Sequence, residues 1–156
     1  MDHNFLEFSS VCSLVRSLFL AALVVVASSP AGAERLHGPI EAEVLRIVDG
    51  DTVEVRARIW LGQTVTTLVR IDGIDAPERR ARCPAEKAAS DQATALVAEM
   101  LPLGAMVRLH GVQTGKFAGR VVAGVETADG RNLAQVLLEN RLVRPYDGRA
   151  RAAWCD

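Results

Sequence analysis

Alternating apolar and polar residues predict β-strands in the first part of the chain after position 40. From Thr52 to Arg56, Val53 and Val55 would lie on one face of a sheet, with polar side chains on the other. The preceding segment, Ala42 to Val48, is rich in branched apolar residues and predicts another strand. A third strand is predicted from about Thr64 to Ile71. The pattern therefore indicates three consecutive strands.

Glycine-containing turns separate these strands, and two further strands follow later in the chain. Asp49-Gly50 is typical of a tight hairpin between the first two strands. Gly62 and Gln63 are predicted to form the turn before the third. Met106 to Val112 and Arg120 to Glu126 predict a fourth and a fifth strand.

Two helices are predicted from helical periodicity and end signals. The first would begin near Cys83-Pro84, with proline at its first position, and end before Pro102-Leu103-Gly104. Its apolar stripe consists of Ala89, Ala93, Leu96 or Val97, and Met100. Asn132 is predicted to cap a second helix that runs from Leu133 to about Asn140.

The order of three strands, a helix, two strands and a helix predicts an α+β fold. Five short strands with an interposed helix suit a small closed barrel of the oligonucleotide/oligosaccharide-binding (OB) type, with two or three helices. The order lacks the strand–helix alternation of a doubly wound sheet. Residues 40–156 would form this domain, and residues 34–39 a short linker before it.

Residues 1–33 have the pattern of an export signal. Arg16 precedes an unbroken apolar run from Leu18 to Ala27, and Ala31-Gly32-Ala33 offers a small-residue cleavage site. The run is short for a spanning helix, which needs about 20 residues. An uncleaved membrane anchor remains the alternative. Cleavage predicts a periplasmic or secreted protein without stable membrane association.

Composition limits the kinds of nucleic-acid contact that the chain could make. The formal net charge is −1, so a polyanion would have to bind at a local basic site. Aromatic residues make up 4% of the chain, which weakens the case for a pure single-strand binder built on stacking. Trp60 and Trp154 are expected in the core or at its edge. The scattered histidines, including His110 in a predicted strand, argue against a histidine-based nuclease.

Two cysteines remain after removal of the predicted signal, which contains Cys12. Export places Cys83 and Cys155 in an oxidising compartment, where one intramolecular pairing is possible. We expect a disulfide that ties the C-terminus to the middle of the chain. Two free thiols are the alternative.

Acidic residues fall in two clusters that could lie close together in the predicted sheet. The first is Asp49-Gly50-Asp51-Thr52, at the hairpin, and the second runs from Arg70 to Asp75-Ala76-Pro77-Glu78, where the third strand ends. Oxygen ligands without nearby histidine or cysteine suit calcium or magnesium better than zinc. Hydrolysis of a phosphodiester needs such a cation, a carboxylate that positions water, and arginines that hold the phosphate. Each piece taken singly could be a plain turn or a solvated face.

Taken together, these pieces resemble the staphylococcal nuclease (thermonuclease) family. The similarity rests on Val48-Asp49-Gly50-Asp51-Thr52, on Arg70 with Asp75-Ala76-Pro77-Glu78, and on Gly119-Arg120, in this order. It covers essentially all of the chain after the predicted signal. It implies a calcium-dependent nuclease whose substrate is DNA, RNA or both, and a monomer is expected.

The resemblance also implies roles for individual residues. One calcium ion would be bound by the carboxylates of Asp51 and Asp75 and by the backbone carbonyl of Ala76. Asp49 would support these ligands without binding the ion itself. Glu78 would act as general base or position the attacking water. The full set of implied catalytic residues is Arg70, Glu78 and Arg120, where the two arginines bind the phosphate and stabilise the transition state.

The chain departs from the family before the second arginine. The family often has Asp-Lys-Tyr-Gly-Arg, whereas this chain has Gly115-Lys116-Phe117-Ala118-Gly119-Arg120. Lys116, Phe117 and Tyr146 are candidate substrate contacts, and ordinary packing is the alternative for the two rings. Two other functions stay open: an OB-fold protein that binds nucleic acid without cleaving it, and an envelope protein stabilised by calcium.

Overall fold

A computed structural model describes residues 34–155, which belong to one compact unit. The predicted signal and its cleavage site lie outside the described residues. Among the described residues, no helix is long and apolar enough to cross a membrane.

The described chain forms eight strands and two helices. The strands are β1 (Arg35–Leu36), β2 (Ile40–Ile47), β3 (Thr52–Trp60), β4 (Gln63–Ile71), β5 (Ile74–Asp75), β6 (Met106–Thr114), β7 (Arg120–Glu126) and β8 (Arg144–Pro145). The helices are α1 (Pro84–Met100) and α2 (Leu133–Glu139).

Five strands close into a mixed β-barrel. The sheet runs in the order β6-β2-β3-β4-β7, and β7 pairs with β6 to close it. The β4–β7 pairing is parallel, and the others are antiparallel. With two helices outside the barrel, the fold is α+β and OB-like, which confirms the predicted fold class.

Two short strands complete the fold and were absent from the prediction. Strand β1 pairs with β6, so the predicted linker at residues 34–39 includes a strand. Strand β8 pairs antiparallel with β5 and places Arg144 opposite Asp75. This second pairing brings the C-terminal part of the chain beside the acidic residues.

The alternating residues of the strands fill the barrel, as the pattern predicted. Val53, Val55 and Val69 are fully buried in it. Helix α1 contributes Ala93 and Val97. The remaining fully buried large side chains are Val44, Ile71, Ile74, Leu101, Val107, Leu109, Leu133 and Leu137.

The helix ends follow the predicted signals. Cys83 is the N-cap of α1, and Pro84 is its first residue. The Asn132 side chain accepts a hydrogen bond from the Gln135 N–H at 3.1 Å and caps α2.

Trp60 does not pack into the core. Strand β3 extends to Trp60, beyond the predicted end at Arg56, and its indole is 73% exposed beside Leu61 at the β3–β4 hairpin. Trp154, in contrast, is half-buried and stacks with the Arg144 guanidinium, 3.9 Å from the ring centroid.

Gly50 allows the β2–β3 hairpin to pack closely on α1. A Cβ atom at Gly50 would lie 2.7 Å from the Ala93 Cβ and 3.0 Å from the Ala76 Cβ. Gly50→Ala is therefore expected to lower the free energy of unfolding by about 1–3 kcal/mol, because these buried atoms would have to move apart. Thermal unfolding of the purified variant measures this.

Gly124→Ala is the matched control for Gly50→Ala. A Cβ at Gly124, in β7, meets only ordinary contacts at 3.6 Å or more. We expect its unfolding free energy to stay within about 0.5 kcal/mol of wild type. Equal stability of both variants would contradict the close packing at Gly50.

Candidate functional site

The β2–β3 hairpin fixes Asp51 at one end of the barrel. The backbone N–H of Asp51 donates to Asp49 Oδ1 at 3.0 Å, and the N–H groups of Val48 and Asp49 both donate to the Thr52 carbonyl. Asp49 thus stabilises the turn that orients Asp51. Burial and the neighbouring Asp51 carboxylate raise the pKa of Asp49 above its usual value.

The end of β4 and the following turn bring the second acidic cluster to the same end of the barrel. Arg70 lies opposite Thr52 in the β3–β4 register, and the Ile71 N–H donates to the Asp51 carbonyl at 2.8 Å. Gly73 has a φ of 79°, which permits the tight turn between β4 and β5. Asp75 follows at once.

Arg70 joins the two aspartates that were predicted to bind metal. Its Nη1 lies 2.6 Å from Asp51 Oδ1, and its Nη2 lies 3.2 Å from Asp75 Oδ1. All three side chains are buried. The Ala76 N–H donates to the other Asp51 oxygen at 3.0 Å. Arg70 is therefore not a solvated face residue, since it is buried and pairs with two buried carboxylates.

Glu78 lies at the surface beside Arg151, a residue that the sequence analysis did not select. Arg151 Nη1 contacts Glu78 Oε1, and Arg151 Nε lies 2.9 Å from Asp75 Oδ1. Burial lowers the pKa of Arg151, but the Asp75 and Glu78 carboxylates outweigh it and raise the pKa overall. We call Asp49, Asp51, Arg70, Asp75, Glu78 and Arg151 the rim cluster.

Glu86 holds the loop that carries Glu78. This buried side chain, in the first turn of α1, accepts hydrogen bonds from the backbone N–H of Arg82 at 2.8 Å and of Glu78 at 3.4 Å. Arg79 donates to the Val48 carbonyl at 2.7 Å and ties the same loop to the hairpin. The position of Glu78 is therefore set by both neighbouring elements.

Arg120, the second predicted arginine, lies across the cleft at the start of β7. Its guanidinium carbon is 4.8 Å from the centroid of the Phe117 ring. Its buried Nε–H has no hydrogen-bond partner among the described residues. Arg120 thus retains one unpaired buried donor, which is rare in native structures.

The three candidate substrate contacts border the same cleft, and two of them also have structural roles. Lys116 Nζ donates to the Gly148 carbonyl at 3.0 Å. The Tyr146 hydroxyl donates to the Arg149 carbonyl at 2.6 Å, and the Tyr146 ring lies 5.7 Å from the Arg70 guanidinium carbon. The Phe117 side chain is exposed.

These residues surround one open cleft with a volume of about 770 Å³. Its charged and aromatic lining consists of Asp49, Asp51, Arg70, Asp72, Glu78, Lys116, Phe117, Arg120, Tyr146, Asp147 and Arg151. Asp75 lies at the edge, where it borders two smaller pockets. The cleft has room for a phosphodiester and the adjoining groups of a polymer.

The donor set of the rim cluster fits a hard divalent cation. Four carboxylates face two guanidinium groups in this cluster, which leaves an excess of negative charge. Asp51 accepts three hydrogen bonds, whereas Asp75 accepts two and also has an ion-pair contact with Arg151. The two oxygens of a carboxylate can accept about four.

Carbonyl oxygens and water would have to supply the other ligands. Within residues 34–155, the one place where three acidic, cysteine or histidine ligand atoms converge is Cys83, Glu86 and Cys155, where the sulfurs are already bonded to each other. Calcium accepts such a mixture of carboxylate, carbonyl and water ligands.

The disulfide that the sequence predicted is present. Cys83 and Cys155 are joined, with their Cα atoms 6.1 Å apart. Cys83 lies five residues after Glu78, and Cys155 lies four residues after Arg151. Combining the predicted pairing with these short separations would have placed Arg151 near Glu78.

Neither the known protein-family models nor the curated proteins give a match to this chain.

Proposed function

We propose that the chain is a calcium-dependent nuclease that hydrolyses phosphodiester bonds of DNA, and of RNA, at the cleft beside the rim cluster. The observation that carries the proposal is the meeting of Asp51, Asp75, Glu78, Arg70 and Arg120 at one end of the barrel. These residues come from three separate stretches of the sequence. Together they supply the groups that phosphodiester hydrolysis needs.

Asp51 and Asp75 are the proposed carboxylate ligands of one calcium ion, with the Ala76 carbonyl as a third ligand. When bound, the ion would offset the charge of the phosphoryl oxygens, which otherwise repel an attacking hydroxide. Asp49 acts through the turn, since it orients Asp51 by accepting the Asp51 N–H. The excess negative charge of the rim cluster supports a cation at this place.

Glu78 is the proposed base that takes a proton from the attacking water. Its carboxylate is exposed to the cleft, and one oxygen is paired with Arg151. The other oxygen is available to a water molecule. The loop is held by Glu86 and Arg79, which fixes the backbone from which the carboxylate projects.

Arg120 and Arg70 are the proposed phosphate-binding arginines. Arg120 has an unpaired donor and borders the cleft. Arg70 is engaged with Asp51 and Asp75, and its guanidinium has further N–H groups for a phosphate oxygen. Fixed guanidinium donors favour the charge that develops in the transition state.

The engagement of Arg70 by both aspartates also favours a second candidate function. A barrel in which two carboxylates hold Arg70 could bind nucleic acid at Arg120 and Lys116 without cleaving it. Glu78 distinguishes the two proposals, because a binding protein has no need for a carboxylate facing a phosphate-binding cleft.

A digestion experiment tests the proposed function. The purified protein is incubated with end-labelled single-stranded DNA, double-stranded DNA and RNA, each with calcium or with a chelator. Shorter products with calcium alone are the expected result. Intact nucleic acid under calcium, magnesium and manganese would overturn the proposal. Binding without cleavage would favour the second candidate, and a calcium-dependent rise in melting temperature alone would indicate a calcium-stabilised protein.

A further inference from the structure

The C-terminal tail, residues 144–155, passes directly over the rim cluster. At its start, Arg144 pairs with Asp75 in the β5–β8 ladder, and the Tyr146 N–H donates to the Gly73 carbonyl at 2.9 Å. At its end, Cys155 is bonded to Cys83. The tail is therefore fixed at both ends beside the loop that carries Glu78.

Arg151 is the tail residue that reaches the acidic side chains. Its Nε lies 2.9 Å from Asp75 Oδ1, and its Nη1 contacts Glu78. The side chain is 39% exposed and borders the cleft together with Arg70 and Arg120. A guanidinium has five N–H donors, so these two contacts leave others free for an anion in the cleft.

The other two arginines of the tail have different surroundings. Arg144 donates to the Ala153 carbonyl at 2.8 Å and stacks on Trp154, so it supports the tail itself. The Arg149 side chain is 87% exposed and pairs with Asp147. The position of Arg151 therefore does not follow from a general excess of arginine in the tail.

We propose that Arg151 is a third phosphate-binding arginine of the cleft, and that the Cys83–Cys155 disulfide holds it there. The inference rests on the proposed function in one respect: the anion that Arg151 would bind is a phosphate of a nucleic-acid backbone. Three guanidinium groups around one cleft would contact a phosphate from several sides, and such charge-assisted hydrogen bonds are strong.

The disulfide matters because it is the covalent link of the last residues of the tail, which are otherwise held by non-covalent contacts such as those of Arg144 with Ala153 and Trp154. Trp154 Nε1 lies 3.4 Å from Asp75 Oδ2, at the long end of hydrogen bonding. Without the covalent link, a surface segment of this kind gains conformational freedom, and Arg151 loses its fixed position. Loss of the disulfide should thus resemble loss of Arg151 itself.

Binding of a short single-stranded DNA oligonucleotide tests the role of Arg151. Affinity is measured by fluorescence anisotropy at low salt with a chelator present, so that cleavage does not interfere. Arg151→Ala is expected to weaken binding about tenfold, and Arg151→Lys less, because lysine keeps the charge but lacks the planar fork. Arg149→Ala, the matched control, should stay within about twofold of wild type.

With calcium, Arg151→Ala should raise KM about tenfold and change kcat by less than about threefold.

The disulfide is tested in the same assay with the Cys83→Ser/Cys155→Ser double variant, after its melting curve confirms that it is folded at the assay temperature. It should lose the same factor of about ten, and it should lose nothing further when Arg151→Ala is added. Reduction of the wild-type disulfide provides an independent form of this comparison.

Unchanged or tighter binding by Arg151→Ala would overturn the inference. Tighter binding would indicate that Arg151 occupies Asp75 and Glu78 and hinders the oligonucleotide. If Arg151→Ala weakens binding by its full factor in the Cys83→Ser/Cys155→Ser background as well, the link between the disulfide and Arg151 is overturned. Absence of oligonucleotide binding by the wild type would also overturn it. If the wild type binds DNA but never cleaves it, the proposed function fails while the tenfold effect of Arg151 still supports the inference.

Discussion

Glu78→Gln should lower the rate of DNA hydrolysis by about 10²–10⁴-fold, because an amide cannot take a proton from the attacking water. The variant should stay folded, since Glu78 is exposed and its ion pair with Arg151 is partly solvated. Initial rates with calcium, measured beside melting curves, separate lost chemistry from lost folding.

Glu99→Gln is the matched control for Glu78→Gln. Glu99 is exposed on α1 and is not among the residues that line the cleft. Its rate should equal that of the wild type. Comparable activity of Glu78→Gln and Glu99→Gln would show that Glu78 has no part in the reaction.

Arg70→Ala is expected to cost about 3–5 kcal/mol of unfolding free energy with a chelator present. The reason is that Asp51 and Asp75 are buried and both pair with Arg70, so its removal leaves two carboxylates short of charge compensation. Denaturant unfolding gives the free energy. Arg70→Lys should recover only part of the lost unfolding free energy, because an ammonium group lacks the planar guanidinium that can pair with both aspartates at once.

Arg56→Ala is the matched control for the Arg70 variant. Arg56 pairs with Glu43 at 2.7 Å in the same sheet, but both side chains are substantially exposed. Its loss should cost less than about 1 kcal/mol. If the two arginine variants unfold at the same denaturant concentration, the buried ion pairs of Arg70 do not stabilise the barrel.

The barrel itself was predictable because its strands follow simple patterns. Val53 and Val55 alternate with polar residues, and the structure buries both. The N-terminus of α1 at Cys83-Pro84 and the Asn132 cap of α2 also follow from local signals that need no tertiary information. The closed OB-type barrel was predicted from the number and chain order of the elements and not from any single residue.

Features that depend on contacts distant in sequence were not predicted. The two-residue strands β5 and β8 are too short for any periodic pattern, and their pairing depends on the path of the tail. The exposure of Trp60 depends on the length of the β3–β4 hairpin, which extends beyond the barrel core. Composition cannot distinguish such a tip from a core position.

The candidate site was partly predictable. Both acidic clusters were selected because each ends a strand, and the structure brings Asp51, Arg70 and Asp75 into direct contact. The pairing of Arg70 with both aspartates was not foreseen, since a motif assigns a role to each residue but not the contacts among them. Arg151 was missed because it lies 73 residues from Glu78 in the chain. Glu86 was missed because a glutamate in the first turn of a helix is favourable on electrostatic grounds alone and so indicates no contact with a loop.

The dependence of the DNA hydrolysis rate on free calcium tests the central claim most directly, when wild type is compared with Asp51→Asn and Asp75→Asn. The account predicts that the wild-type rate rises to a plateau as one ion binds and is abolished by a chelator. Both variants should need far more calcium to reach half of their maximal rates, since each loses a charged ligand. Equal rates with and without a chelator, or variants with the calcium dependence of the wild type, would contradict a calcium-dependent nuclease site at Asp51 and Asp75.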